Sequence, residues 1–348
     1  MKLGNFNFYT LEVLIYESFD LLKFSEGASL AVIQLVINSL VIILYLVVER
    51  KSRKMAEGKE KGLKTERLSF RGKDWKSIVS LSLSIFFVFI VILFSFAPII
   101  AIIVKSFIPK SPGDSPFWGY SQIFTQQKLT PLNTNTIRLF GNTLLFATVA
   151  AVISLILSVL IVFVLRNRYQ SIKKYQRSAS ESLVSYLIIL PMATSSITLG
   201  LGLYLSYSGL SSYYNSVWIF IIMSHVLISI PFVTRSILVA YNRIDVELLN
   251  VASSLGASRV MVFRKIEFPL IKRGIIVGGI FSFAISLGEF GATFLLARAN
   301  YETLSIGIYN LLGSQTLQIS TAMASVLILI TALCFYLINK FGDIELKV

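Results

Sequence analysis

Residues 245–269 read DVELLNVASSLGASRVMVFRKIEFP, two short helical apolar patterns around a glycine, set between two long hydrophobic runs. Asp245 is placed to cap a helix running to about Leu255, with Val246, Leu249 and Ala252 along one side. Gly256 follows as the left-handed residue that ends it. Ser258 is placed to cap a second short helix on which Val260, Phe263 and Ile266 share a face, and Pro269 is expected to stop it. The expectation is a compact helix-turn-helix with a basic edge at Arg259, Arg264 and Lys265. The chain's own neighbouring helices account for one apolar stripe comfortably; covering both calls for a partner.

The surroundings of this stretch place it in a membrane protein. The chain is 55% hydrophobic and 14% charged, where a soluble domain has about a quarter of its residues charged. Seven stretches are long enough to cross the hydrocarbon as helices, at roughly 28–49, 77–104, 142–165, 183–205, 217–239, 274–296 and 319–338. All are read as spanning helices, because backbone in lipid must satisfy its own hydrogen bonds. The first 27 residues include Glu12, Glu17 and Asp20 and lack a basic start followed by an apolar run, so they are no cleavable signal peptide. The single Cys334 lies in the last span and builds no disulfide or thiolate metal site within one chain.

Lysine and arginine set the orientation. Between Arg50 and Lys76 stand eleven basic and four acidic residues, a net +7 that makes up half of the formal +14. That segment is expected in the cytoplasm, and by alternation so are the connections at 166–182 and 241–273. The N-terminus then lies outside and the C-terminus inside a cell membrane crossed several times. A basic run of this kind also suggests nucleic acid, but no stacking aromatics punctuate it and anionic headgroups explain it more simply. Membrane lipid is the expected partner of the linker, and nucleic acid is not.

The two ends of the chain echo one another. Thr10-Leu11-Glu12-Val13-Leu14-Ile15-Tyr16 matches Thr303-Leu304-Ser305-Ile306-Gly307-Ile308-Tyr309, and each is followed by a small-residue start to a span, Gly27-Ala28-Ser29 and Thr321-Ala322-Met323. Each span closes on Tyr-Leu, at Tyr45-Leu46 and Tyr336-Leu337. We read a repeat rather than a convergence of two helix starts. The expected organisation is residues 1–49 as the tail of an upstream repeat with one membrane helix, 50–76 as a basic cytoplasmic linker, and 77–340 as a complete six-helix core.

Within that core, Ser286-Leu287-Gly288-Glu289-Phe290-Gly291-Ala292-Thr293 puts a carboxylate inside the fifth helix. Such a charge is costly in lipid and faces a cavity or a partner. Gly288, Glu289, Phe290 and Gly291 are therefore candidates for lining a pathway or gate, and a packing carboxylate bonded to a neighbouring hydroxyl remains the alternative. Gly274-x3-Gly278 invites close helix approach. Pro98, Pro191 and Pro231 interrupt helices, and Gly200 and Gly202 make the third core helix either a moving part or a closely packed one. His225 reads as a packing histidine, since no second ligand stands near it in sequence. No metal site, cofactor site or catalytic constellation is expected. The text nearest to a phosphate loop, Gly58-Lys59-Glu60-Lys61-Gly62-Leu63-Lys64-Thr65, lacks the Gly-Lys-Thr ending.

Ala252-x3-Gly256-x9-Ile266-x-Phe268-Pro269 resembles the coupling loop of ABC importer permeases, whose pattern is Glu-Ala-Ala, three residues, Gly, nine residues, Ile-x-Leu-Pro. Asn250 and Val251 stand where that family has Glu and the first Ala, and Phe268 where it has Leu. From Ser224-His225 to Tyr309 the order of motifs is similar to the permeases of the iron(III), thiamine and phosphonate importers, where one chain often holds two cores in tandem. The resemblance implies an all-α polytopic membrane protein, an ABC importer permease core plus one extra N-terminal transmembrane helix. It assigns Asn250, Val251, Ala252, Gly256, Ile266 and Pro269 to docking on the ATPase. It also implies cytosolic ABC ATPase subunits, an extracellular or periplasmic solute-binding protein, and a second permease core from another copy or from an upstream half. The chain itself is then no enzyme, and iron(III), thiamine or a similar small solute is the expected cargo. The rival is a proton-coupled secondary transporter that uses Glu289.

Overall fold

The computed structural model describes residues 9–57, 75–109, 115–124, 132, 135–170, 190–191, 194–209, 213–312 and 317–342. The 58–74 part of the basic linker, residues 171–182 and the 183–189 start of the expected fourth span lie outside them. The described residues fold as helices without a strand. Two precede the core, α1 (Leu11–Asp20) and α2 (Phe24–Glu57). The core follows as α3 (Trp75–Ser106), short α4 (Trp118–Ile123), α5 (Thr136–Gln170), α6 (Ser196–Tyr207), α7 (Tyr213–Tyr241), the loop helices α8 (Val246–Ser254) and α9 (Arg259–Val262), α10 (Phe268–Gly288), α11 (Gly291–Leu296), α12 (Leu304–Leu312) and α13 (Leu317–Gly342). Six helices among these residues are long and apolar enough to cross a membrane: α2, α3, α5, α7, α10 with its preceding turns, and α13.

Packing rather than hydropathy ranks them. In α7, 61% of the most apolar stretch is buried, against none in α3, so α7 is the hub and α3 an exposed flank. The α7–α10 contact depends on missing side chains: a Cβ on Gly274 would meet Ala240 at 2.7 Å, and one on Gly278 would meet Val233 at 3.1 Å. Between α5 and α7 the adhesive is polar. Ser154 Oγ and Ser229 Oγ are 2.7 Å apart, and Thr234 donates to Ser158 at 3.0 Å. Hydroxyls placed this way satisfy one another out of reach of water.

Three expectations are corrected. The span at 274–296 is no single helix, because α10 stops at Gly288 and α11 starts at Gly291, with Glu289 extended between them. Glu289 therefore sits at a break, not inside the fifth helix. Pro269 does not end the second loop helix either. A π turn over Phe263–Glu267 joins α9 to α10, with Phe268 N–H bonded back to the Phe263 carbonyl, and Pro269 falls in the first turn of α10. The wider turn ahead of the proline takes up the ladder position that its missing N–H would leave open. Third, the span expected at 183–205 is not one helix over its described part, because Thr194 and Ser195 lie outside helix between the helical residues 190–191 and the start of α6 at Ser196.

The N-terminal pair is seated on the core. Ile15 has no exposed surface and packs with Ile197, Leu201 and Leu295. Gly27 makes room at this junction, since a Cβ there would stand 3.3 Å from Ser18 and 3.6 Å from Leu201.

Candidate functional site

The loop between α7 and α10 is built by its caps. The Asp245 carboxylate accepts from Glu247 N–H at 3.0 Å at the start of α8, and Ser258 Oγ accepts from Met261 N–H at 3.3 Å at the start of α9. Gly256 turns the chain between them with φ +82, a conformation open to glycine at no steric cost. Ala257 N–H closes the end of α8 on the Ala252 carbonyl at 3.1 Å. One side of the hairpin faces inward. Leu249 and Val262 are buried, and Phe263 meets Phe163 of α5 edge-on at 5.0 Å.

The other side is apolar and uncovered. Leu248, Val251, Leu255, Val260 and Met261 are all exposed, Leu255 at 83%. Of the expected stripes, Leu249 faces in, Ala252, Phe263 and Ile266 are half-buried, and Val260 faces out; the Val246 side chain lies outside the described residues. The spacing of Leu248, Val251 and Leu255 on α8 held the signal for a second, outer stripe. Asn250, Gly256 and Pro269 are exposed on the same loop.

At the far end of α10 from the loop, the break is held by a compact polar cluster. The Glu289 carboxylate accepts from Ala292 N–H at 2.9 Å, Thr293 N–H at 3.0 Å and the Thr293 hydroxyl at 2.5 Å. It thus caps α11 from the residue before its N-cap. His225 of α7 closes the cluster: Nε2 lies 2.8 Å from Thr293 Oγ1 and 3.4 Å from Glu289 Oε2, and Nδ1 lies 2.5 Å from Ser286 Oγ. Because the Thr293 hydroxyl gives its proton to Glu289, its oxygen accepts from His225, so Nε2 carries hydrogen. A carboxylate buried without such donors would cost several kcal/mol. Here each oxygen is met.

Of the four residues expected at a pathway or gate, only Gly288 is openly exposed, with nothing near where its Cβ would stand. Gly291 is pressed against Ser196 and Ile197. The Glu289 side chain turns inward, and Phe290 stacks on Phe294 at 4.9 Å and tilts toward Tyr309 at 5.3 Å. Gly200, read as a hinge or a packing residue, packs: a Cβ on it would fall 2.7 Å from the Ala292 backbone. His225 is a buried, satisfied packing histidine, as expected, but its partners Ser286 and Thr293 were invisible from its own neighbourhood in sequence. No group of three or more metal-ligating side chains occurs among the described residues.

Residues 171–344 match the family described as the binding-protein-dependent transport system inner membrane component. A 2-aminoethylphosphonate transport system permease protein of Salmonella paratyphi A is 30% identical over 160 residues, covering 46% of this chain and 60% of that protein. The chain therefore spans about 60% of the length of that relative. The sulfate transport system permease protein CysT of Salmonella typhimurium is 28% identical over 60% of this chain and 79% of its own length. The spermidine/putrescine transport system permease protein PotC of Haemophilus influenzae is 27% identical over 70% and 90%. In fold, the chain is similar to a bacterial ABC transporter involved in the import of alginate, with a TM-score of 0.55 at 20% identity over 76% of this chain and 98% of that one. With a capped loop on a helical membrane core and a family match across that loop, this chain belongs to the binding-protein-dependent permeases of ABC importers.

Proposed function

We propose that this chain forms one core of the solute pathway of an ATP-driven importer and takes its drive through the 245–269 loop. The observation that carries the proposal is the row Leu248, Val251, Leu255, Val260 and Met261, exposed on a hairpin whose second helix continues into a membrane helix. Uncovered apolar side chains in such a row mark a protein contact. The loop faces the cytoplasm, where an ATPase subunit covers it, and ATP-driven closure of the paired subunits moves α10. Asn250, Val251, Ala252, Gly256, Ile266 and Pro269 belong to that contact or to its scaffold, while Gly288, Glu289, Phe290 and Gly291 shape the moving end. An external solute-binding protein delivers the cargo, and a second core completes the pathway.

Iron(III) and thiamine enter through resemblance alone. The relatives described above are named for aminoethylphosphonate, sulfate and spermidine/putrescine, so the class carried forward is a small, charged or complexed solute. ATP hydrolysis is assigned to the partner.

The test is reconstitution in vesicles with the cognate ATPase and binding protein. Uptake is expected to require ATP. Gly256→Val, which places a β-branched residue at positive φ, is expected to abolish ATPase co-purification while membrane insertion persists. Uptake that ignores ATP and follows a pH gradient would overturn the proposal in favour of the proton-coupled alternative at Glu289.

A further inference from the structure

The helices at the two ends of the chain carry one sequence motif in different surroundings. α12 begins at Leu304, 293 positions after α1 begins at Leu11, and each starts directly after a threonine. At this offset Tyr309 is the counterpart of Tyr16, and Leu312 of Phe19. α12 is built into the core: Leu304 and Leu311 are buried, and Gly307 lies against Leu139 and Met323. α1 instead docks from outside into the groove between α6 and α11. Its Phe19 ring meets Tyr204 edge-on at 5.1 Å. Behind it, Thr198 donates to Gln34 of α2 at 2.6 Å. The two copies converge on one ring, with Tyr16 at 5.3 Å and Tyr309 at 5.2 Å from Phe294.

One copy built in and one copy docked is the local pattern of a two-fold pair, in which each unit offers the same element to the other's groove. We infer that the face of α12 bearing Tyr309 and Leu312 is the docking surface for a second permease core, which receives it in a groove equivalent to that between α6 and α11. The pseudo-two-fold axis runs between Tyr16 and Tyr309. Leu312 is 52% exposed, whereas its counterpart Phe19 is half-buried between Phe24 and Tyr204. The occupant is not a second copy of this chain, because α1 of that copy already fills its groove. Its match is a core whose groove is open and whose own last two helices are replaced by α1 and α2. The coverage of α2 agrees: 6% of its apolar stretch is buried, against 28% for α13, which has α3 and α10 beside it.

This inference rests on the permease proposal and adds which surface meets the second core. The test places a photo-crosslinking benzoylphenylalanine at Leu312 of the full chain in native membranes, with Phe94, 84% exposed on α3, as the lipid-facing control. The expected adduct maps by mass spectrometry to an α6-type or α11-type segment of another permease core, and the Phe94 probe gives no such adduct. Adducts with lipid alone, with a second copy of this chain, or none at all would overturn it. A probe at Val260 separates the two claims. If Val260 still captures an ATPase subunit while Leu312 captures only lipid, the permease proposal stands and this interface falls.

Discussion

α1 and α12 begin with the same motif but meet different neighbours, and the contrast shows what a shared motif does and does not dictate. The shared Thr-Leu start produces a helix in both places. The neighbour decides the rest. At one matched position α12 carries Gly307, pressed on Leu139, while α1 carries a half-buried Leu14. The built-in helix has no side chain there and comes close, whereas the docked helix packs one against its neighbours.

Four substitutions test this contrast, in descending order of effect. Gly307→Leu imposes the α1 residue on α12 and drives it into Leu139 and Met323; a loss of about 3 kcal/mol or more is expected in a denaturation series in detergent. A neutral result would mean that α12 is not built in as described. Ile15→Ala empties a site with no exposed surface and is expected to weaken the seating of α1 by about 3 kcal/mol. Hydrogen exchange should then quicken at residues 11–20 and stay unchanged in α7. Thr198→Val deletes the bond to Gln34 and should cost only about 0.6 kcal/mol, the average for such bonds between membrane helices; the same exchange measurement reads it. Leu312→Ser touches an exposed side chain and should change the stability of the isolated chain by less than about 0.5 kcal/mol. A large effect there would show that α12 already has its cover within this chain.

Hydropathy located α2, α3, α5, α7 and α13 well, because length and apolar content are what a membrane demands of a helix. The caps Asp245 and Ser258 and the hinge Gly256 were equally plain, each having a local reason. Features that depend on a neighbour's shape were not. An apolar run looks the same whether its helix continues or breaks, so the interruption at Glu289 stayed hidden, although Gly288 and Gly291 flanked it in the sequence. His225 bonds residues 61 and 68 positions away, a separation that no local pattern spans. Pro269 misled through a sound rule, since the π turn before it removes the conflict that ordinarily stops a helix.

That π turn has a mechanical consequence. It makes Arg259–Gly288 one uninterrupted helical run of 30 residues, about 45 Å long at 1.5 Å per residue. The bends lie at its ends, at Gly256 on one side and at Glu289 and Phe290 on the other. In the proposed importer such a segment serves as a connecting rod between two bearings. On the function proposed above, a displacement applied at Ser258 is carried along this run to Gly288, and the His225–Glu289 cluster sets how stiffly the far end turns.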